Sequence, residues 1–314
     1  MQYFEDLDQA ELGGCELTIG SFDGIHLGHQ EIIRQMIEAA RMLGLPSVVL
    51  TFYPHPSVVL RGRRPSFYIT SPEEKAAMMA ELGVDYVINQ KFDRQLSLVS
   101  AEAFLERLRG RLRFHGLWIG EDFALGHQRQ GNQHFLRQAA NDGGFELHVL
   151  PPLLVGGEVV SSTRVREALR SGDVARVAQY LGRLFAIPGK VVEGAGRGRK
   201  LGIPTANLST WDERAYPHTG VYACLAEVEG KRWMAVSNIG TRPTFDEVRE
   251  LPVVEAHLLD FQGDLYGKDM TLRFVDRLRE ERRFPSKEAL LDQIRRDIER
   301  ARPLLQPLLE RKNA

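Results

Sequence analysis

Cysteine is nearly missing from this chain: 314 residues hold two, Cys15 and Cys224, far apart and without metal-ligand spacing. A disulfide framework and a cysteine-based metal site are thereby excluded, and each thiol reads as a small buried hydrophobe within a strand. An excess of charge of one sign is missing too. Lys and Arg number 41 against 42 Asp and Glu, a formal net charge of -1, so bulk electrostatics points to neither nucleic acid nor a membrane surface. No run of about eighteen apolar residues occurs, and the opening MQYFEDLDQAEL is acidic where a secretory leader would be basic and then apolar. The expectation is a cytoplasmic protein with no nucleic-acid or membrane partner and with its oligomeric state open. Internal repeats and low-complexity tracts are also absent. What remains is an ordinary globular composition, 43% hydrophobic and 26% charged, on a chain long enough for two domains.

The two domains differ in pattern. From Cys15 to about Leu181 strands alternate with helices: CELTIG, SVVLTFY, VDYVIN, GLWIG and FELHVL read as strands. The helices between them include one whose Ser71-Pro72-Glu73-Glu74 start is a capping box with proline at the first helical position. Another runs from Ser100 to Leu112. This alternation predicts a mostly parallel sheet covered by helices, with ligands at the carboxyl ends of its strands. Beyond STRVREALRSGDVARVAQYLG, strands follow one another without helices, two of them around a Glu229-Gly230 turn. An antiparallel barrel or sandwich is expected there, closed by a helix from Ser286 to about Arg302 that stops at Pro303, its Leu290, Leu291, Ile294 and Ile298 chiefly core. The division is placed at 1–183 and 184–314.

The most informative stretch is GSFDGIHLGHQ, Gly20 to Gln30. It sets an H-x-G-H pair between a strand and a helix whose Ile33, Met36, Ile37 and Ala40 recur at helical spacing. Gly24 and Gly28 allow the backbone to approach a ligand, and His26 and His29 stand where the first helical turn leaves N–H groups unpaired. Imidazoles beside such amides suit the α-phosphate of a nucleotide, because both donate to charge that grows as pyrophosphate leaves. SSTRVREAL, from Ser161, opens a later helix with three hydroxyls followed by Arg166, which suits β- and γ-phosphates; a plain serine cap with exposed arginines is the bland alternative. Gly189 to Leu208 carries five glycines and four basic residues but fails both the dinucleotide fingerprint and the P-loop pattern. Its end, Pro-Thr-Ala-Asn at 204–207, puts a hydroxyl and an amide on one side of an extended stretch, as a phosphate-bridging Mg²⁺ requires. Glu255 alternates with apolar neighbours and is either a solvated strand residue or a base.

These motifs resemble those of the nucleotidylyltransferase superfamily in the form found in bacterial bifunctional riboflavin kinase/FAD synthetases, and the resemblance runs along nearly the whole chain. It implies an N-terminal Rossmann-like α/β domain that transfers AMP from ATP to FMN, giving FAD and pyrophosphate. It also implies a C-terminal antiparallel β-barrel with a C-terminal helix that phosphorylates riboflavin to FMN, both steps using Mg²⁺ and ATP. In the first domain it assigns His26 and His29 to catalysis together with Arg166. Gly20, Phe22, Asp23 and Gly24 fall on the nucleotide loop, His55 of TFYPHP on the flavin side, and Ser161, Ser162 and Thr163 on the triphosphate. Asp122 lies in a segment where relatives usually carry more basic or aromatic residues than Ala124, Leu125 and His127. In the second domain Gly194, Gly196, Arg197, Gly198 and Gly202 belong to a flap over ATP. Thr205 and Asn207 become metal and phosphate ligands, Asn238 falls in a further matching segment, and Glu255 becomes the base for the ribityl 5′-hydroxyl. H-x-G-H alone leaves the acceptor open between FMN and a phosphopantetheine or nicotinamide precursor. Pro-Thr-Ala-Asn and the second domain favour the flavin, and the joint presence of all these residues argues against a binding protein with decayed sites.

Overall fold

The structure is a computed structural model describing residues 1–62, 67–194, 202–241 and 252–310. The chain divides into two compact units, Met1–Ser162 and Thr163–Ala314.

The first unit is built on six parallel strands: β1 (Gln2–Phe4), β2 (Cys15–Ile19), β3 (Ser47–Tyr53), β4 (Tyr86–Lys91), β5 (Phe114–Gly120) and β6 (Glu146–Leu150), in the order β1-β4-β3-β2-β5-β6. Alternate residues feed opposite faces of the sheet. Leu17, Ile19, Val48, Leu50, Leu117 and Ile119 pack on one side with Phe104 and Leu108 of α4 (Ala101–Leu112). Val49, Val87 and Trp118 pack on the other with Ile33 and Met36 of α1 (Leu27–Leu43) and Met79 of α3 (Pro72–Glu81). The expected capping box is formed, with Ser71 Oγ accepting from the Glu74 N–H and Glu74 accepting from the Ser71 N–H. The remaining pieces are α2 (Pro56–Arg61), α5 (Gln133–Gly143) and a small hairpin of β7 (Leu154–Val155) and β8 (Glu158–Val159). Winding reverses between β2 and the adjacent β5, so a crevice opens at their carboxyl ends. The loops after Ile19 and Gly120 flank it.

Helix α6 (Ser162–Ser171) starts at the division and is followed in the second unit by α7 (Val174–Leu181), which packs on strands β9 (Phe185–Val192) and β14 (Asp269–Arg279). With β10 (Ala206–Ser209), β11 (Gly220–Val228), β12 (Lys231–Thr241) and β13 (Pro252–Leu258) these close an antiparallel barrel in the order β10-β13-β12-β11-β14-β9. The β11–β12 hairpin turns through Glu229 (φ 50°) and Gly230 (φ 73°), the two left-handed residues that match strand twist. Cys15 and Cys224 are buried free thiols. The C-terminal helix α8 (Lys287–Glu310) does not stop at Pro303: it continues through Pro303 and Pro307. An interior proline costs about 3 kcal/mol of helix stability. Burial of Leu305 against the Val221, Leu225 and Met234 face of the barrel, with Leu308 and Leu309 alongside, offsets that cost.

Candidate functional sites

In the first unit the turn after β2 is held in a strained shape. Phe22 (φ 47°) and Ile25 (φ 38°) adopt left-handed conformations that L-residues avoid. Gly24 (φ 82°) sits where a Cβ would come within 2.9 Å of Ile69. The surroundings fix this shape. The buried Asp23 carboxylate accepts from the N–H groups of Ile69 (3.0 Å) and Thr70 (3.1 Å), while the Gly24 N–H donates to Thr70 Oγ1 at 3.0 Å. Asp23 therefore anchors the turn to the 67–70 segment, a task its place in the motif does not reveal. His26 caps α1, its Nδ1 accepting from the His29 N–H, and the two rings stack with Phe22 edge-on to His29 at 5.1 Å. Ser162, the first residue of α6, donates to the Asp23 carbonyl at 2.9 Å, which ties Ser162 to the same turn. Arg166 is buried one turn into that helix.

His55 caps α2, and its N–H donates to the Tyr68 hydroxyl at 2.8 Å. Asp122 is exposed beyond β5, its carbonyl accepting from Arg129. Leu125 belongs to the core and His127 bonds Ser97 and Val99, so both hold the 120–132 loop in place. Sequence reasoning missed Lys75, which lies buried beneath the turn.

In the second unit Glu255 of β13 pairs across the sheet with Asn207 of β10 on one side and Asn238 of β12 on the other. Side chains of paired residues share a face, so the carboxylate stands between two amides. Thr205, Asn238 and Glu255 line a cavity of about 440 Å³ between the barrel and α8, with Val221, Val236 and His257. Its far wall is Arg279, Phe284, Leu290, Ile294 and Asp297. Leu290, Leu291 and Ile294 are half-buried, and the first and last of them wall this cavity, on the helix expected to be chiefly core and placed by the resemblance also along the flavin pocket where it approaches the barrel. Beside them the buried Asp297 takes Arg279 Nε at 2.9 Å and Gln293 Nε2 at 2.8 Å. Arg279 and Arg282 both lie over the Phe284 ring. In sequence these residues sit in charge-rich stretches that read as solvated surface. His257 Nδ1 lies 2.8 Å from the Pro204 carbonyl and fixes the start of Pro-Thr-Ala-Asn. A Cβ on Gly194 would overlap the Asn207 amide, so the chain passes tightly over it. Gly202 has a left-handed φ of 75°, whereas Gly196, Arg197 and Gly198 lie outside the described residues.

A stacked histidine pair at a helix start beside the switch point of a parallel sheet, followed by a barrel with a carboxylate between two amides, accords with a two-module transferase of nucleotide chemistry. Residues 8–164 match the model of the FAD synthetase family and residues 181–305 that of riboflavin kinase. The chain belongs to the bifunctional riboflavin kinase/FMN adenylyltransferase family. It is 40% identical to the bifunctional riboflavin kinase/FMN adenylyltransferase of Pseudomonas fluorescens over 299 residues, 95% of each chain. It is 39% identical to that of Escherichia coli K12, over 93% of each. A solved structure described as a macrolide-efflux protein from Streptococcus pneumoniae superposes with a TM-score of 0.87 at 30% identity, covering 96% of this chain and 98% of the other. No helix among the described residues is long and apolar enough to cross a membrane.

Proposed function

We propose that the chain makes FMN from riboflavin in the barrel unit and FAD from FMN in the sheet unit, each with ATP, with the functional division between residues 183 and 184. In the first reaction the ribityl 5′-oxygen attacks the γ-phosphorus, its proton passes to Glu255, and ADP leaves with the electrons of the β–γ bridge. The observation that carries this reading is the row Asn207, Glu255, Asn238 across β10, β13 and β12, of which Glu255 and Asn238 line the cavity. A volume of about 440 Å³ suits a small heterocyclic substrate.

In the second reaction a phosphate oxygen of FMN attacks the α-phosphorus of ATP and pyrophosphate departs. His26, His29 and the first N–H groups of α1 stabilise the added charge, Gly20, Phe22 and Gly24 shape the nucleotide turn by packing closely on Phe22, His29 and Ile69, and Asp23 holds it. Ser161, Ser162, Thr163 and Arg166 receive the β- and γ-phosphates, and His55 and Asp122 border the flavin and adenine. Neither step needs a protein nucleophile, because positioning and neutralised charge carry in-line transfer.

Mg²⁺ fits the barrel site. Thr205 and Asn207 offer the oxygen donors a hard cation prefers, and the Asn207 amide is confined under Gly194 where no side chain could fit. Among the described residues no group of three or more His, Cys, Asp or Glu side chains could hold a metal, so these two neutral donors would share the ion with nucleotide phosphates. When bound, it would supply charge neutralisation for the phosphoryl group in transfer. The two buried free thiols accord with a reducing cytoplasm, and the substrates are small molecules rather than nucleic acid or membrane. Incubation of the pure protein with riboflavin, Mg²⁺ and ATP, followed by chromatography of the flavins, tests the whole reading: FMN should appear first and FAD after it.

A further inference from the structure

Lys75, in the first turn of α3, is 6% exposed, and neither reaction as described uses its amine. Its Nζ donates to Thr51 Oγ1 at 2.7 Å, to the Ser21 carbonyl at 3.1 Å and to the Phe52 carbonyl at 3.4 Å. The Thr51 hydroxyl in turn donates to the same Ser21 carbonyl at 3.1 Å. Ser21 lies in the turn that carries His26 and His29. Phe52 lies at the end of β3, three residues before His55. One ammonium thus joins two loops that border the crevice, and its three N–H bonds match three acceptors. The cavity beside it, lined by Ser21, Asp23, Tyr53, His55, Tyr68 and Thr70, measures about 10 Å³. That is room for about one water and not for a phosphate, so Lys75 acts through the loops.

We propose that Lys75 is a positioning residue for adenylyl transfer, fixing the Ser21 and Phe52 carbonyls so that the H-x-G-H turn and the His55 turn keep one mutual geometry. This rests on the adenylyl-transfer reading of that turn. Burial pushes the Lys75 ammonium down to about 8, against the opposing attraction of the Asp23 carboxylate. The other titratable groups facing it are His55 from the start of α2, Tyr53 from the end of β3 and Tyr68 from the 67–70 segment; Glu73 and Glu74 on its own helix are engaged with Ser71. Deprotonation leaves two N–H donors for three acceptors, so the clamp loosens as pH rises through about 8.

The test uses the full chain, with riboflavin phosphorylation by the same molecules as a control for folding. Lys75→Met should lower kcat for FMN adenylylation about tenfold or more while KM for ATP and FMN moves less than about twofold. The unaltered protein should show an alkaline fall in adenylylation centred near 8 that Lys75→Met lacks. Thr51→Val, which removes one acceptor at nearly constant volume, should move that fall to lower pH. Undiminished adenylylation in Lys75→Met, or the same alkaline fall retained in it, overturns the proposal. Should Lys75→Met lose the near-ultraviolet circular dichroism of the folded chain, Thr51→Val decides, and an unmoved alkaline fall overturns the proposal. His29→Ala is run beside them: full FAD synthesis in that variant refutes the reading of the turn itself, whereas activity lost there but kept in Lys75→Met refutes only the role of the lysine.

Discussion

His26 Nδ1 accepts the His29 backbone N–H at 3.3 Å while the two imidazoles stack 3.5 Å apart at an interplanar angle of 19°. With Nδ1 engaged as an acceptor, the neutral His26 ring carries its proton on Nε2. One side chain thereby both ends the helix and offers a donor. His29→Ala should reduce FAD formation about a hundredfold or more and spare FMN formation. His26→Asn keeps a cap acceptor but loses the Nε2 donor, so it should be as inactive in adenylylation as His29→Ala with a melting temperature close to that of the parent. Single-turnover flavin chromatography and thermal unfolding read both outcomes.

Glu255→Gln should abolish riboflavin phosphorylation while supplied FMN is still adenylylated, because the amide keeps size and acceptor oxygen but takes no proton. Thr205→Ala should fail differently, with raised Mg²⁺ recovering part of the activity. Steady-state rates at two Mg²⁺ concentrations separate a lost base from a lost ligand.

A fragment beginning at Phe185 has every strand of the barrel but lacks α7, whose Val177, Tyr180 and Leu181 are buried. It should phosphorylate riboflavin and make no FAD, yet melt below a fragment beginning at Thr163, which retains that helix. Calorimetry of the two fragments compares them directly.

Asp297→Ala strands the Arg279 guanidinium, whose side chain is 17% exposed, without its carboxylate. Breaking such a pair costs about 3 kcal/mol or more, and the wall of the cavity moves with it. Denaturant unfolding should show the loss, and fluorescence titration should show weaker riboflavin binding.

The depressed Lys75 ammonium also sets a pH dependence of stability. Its ordinary value is 10.5 and its folded value about 8, so between these pH values the unfolded chain binds the extra proton and stability rises with pH. The gain approaches about 3 kcal/mol relative to Lys75→Met and is absent below about pH 8. Urea unfolding at pH 7.5 and 10 should show it. Stability and adenylylation then move in opposite directions with alkali, which ordinary alkaline unfolding would not produce.

Legibility from sequence followed how local the determining interaction is. The Ser71 capping box, the Glu229-Gly230 turn and the strand-turn-helix around His26 depend on neighbours within a few residues, and all were readable. β1 was not, because three exposed or half-exposed edge residues gain their order only by pairing with β4. Nor was the passage of α8 through Pro303, which depends on burial of Leu305 against distant strands. The same holds at the sites. The histidines stand out through their motif and Glu255 only through the family resemblance, whereas Lys75 stands in an ordinary amphipathic helix and Asp297 in a charged one. Their partners lie 24 and 18 residues away in sequence.

The order of strands in the two units has a consequence for synthesis. Every strand of the parallel sheet has been made once Leu150 is added, so the first unit can gather its core while later residues are still being joined. The barrel has no such freedom. β9, its earliest strand, hydrogen-bonds to β10 and to β14, its latest, so one flank of β9 stays open until Asp269–Arg279 emerges. A nascent chain halted before that point would carry a finished adenylylation unit trailing an unsealed, adhesive strand edge, and the interval of exposure is set by the rate of translation across some eighty codons.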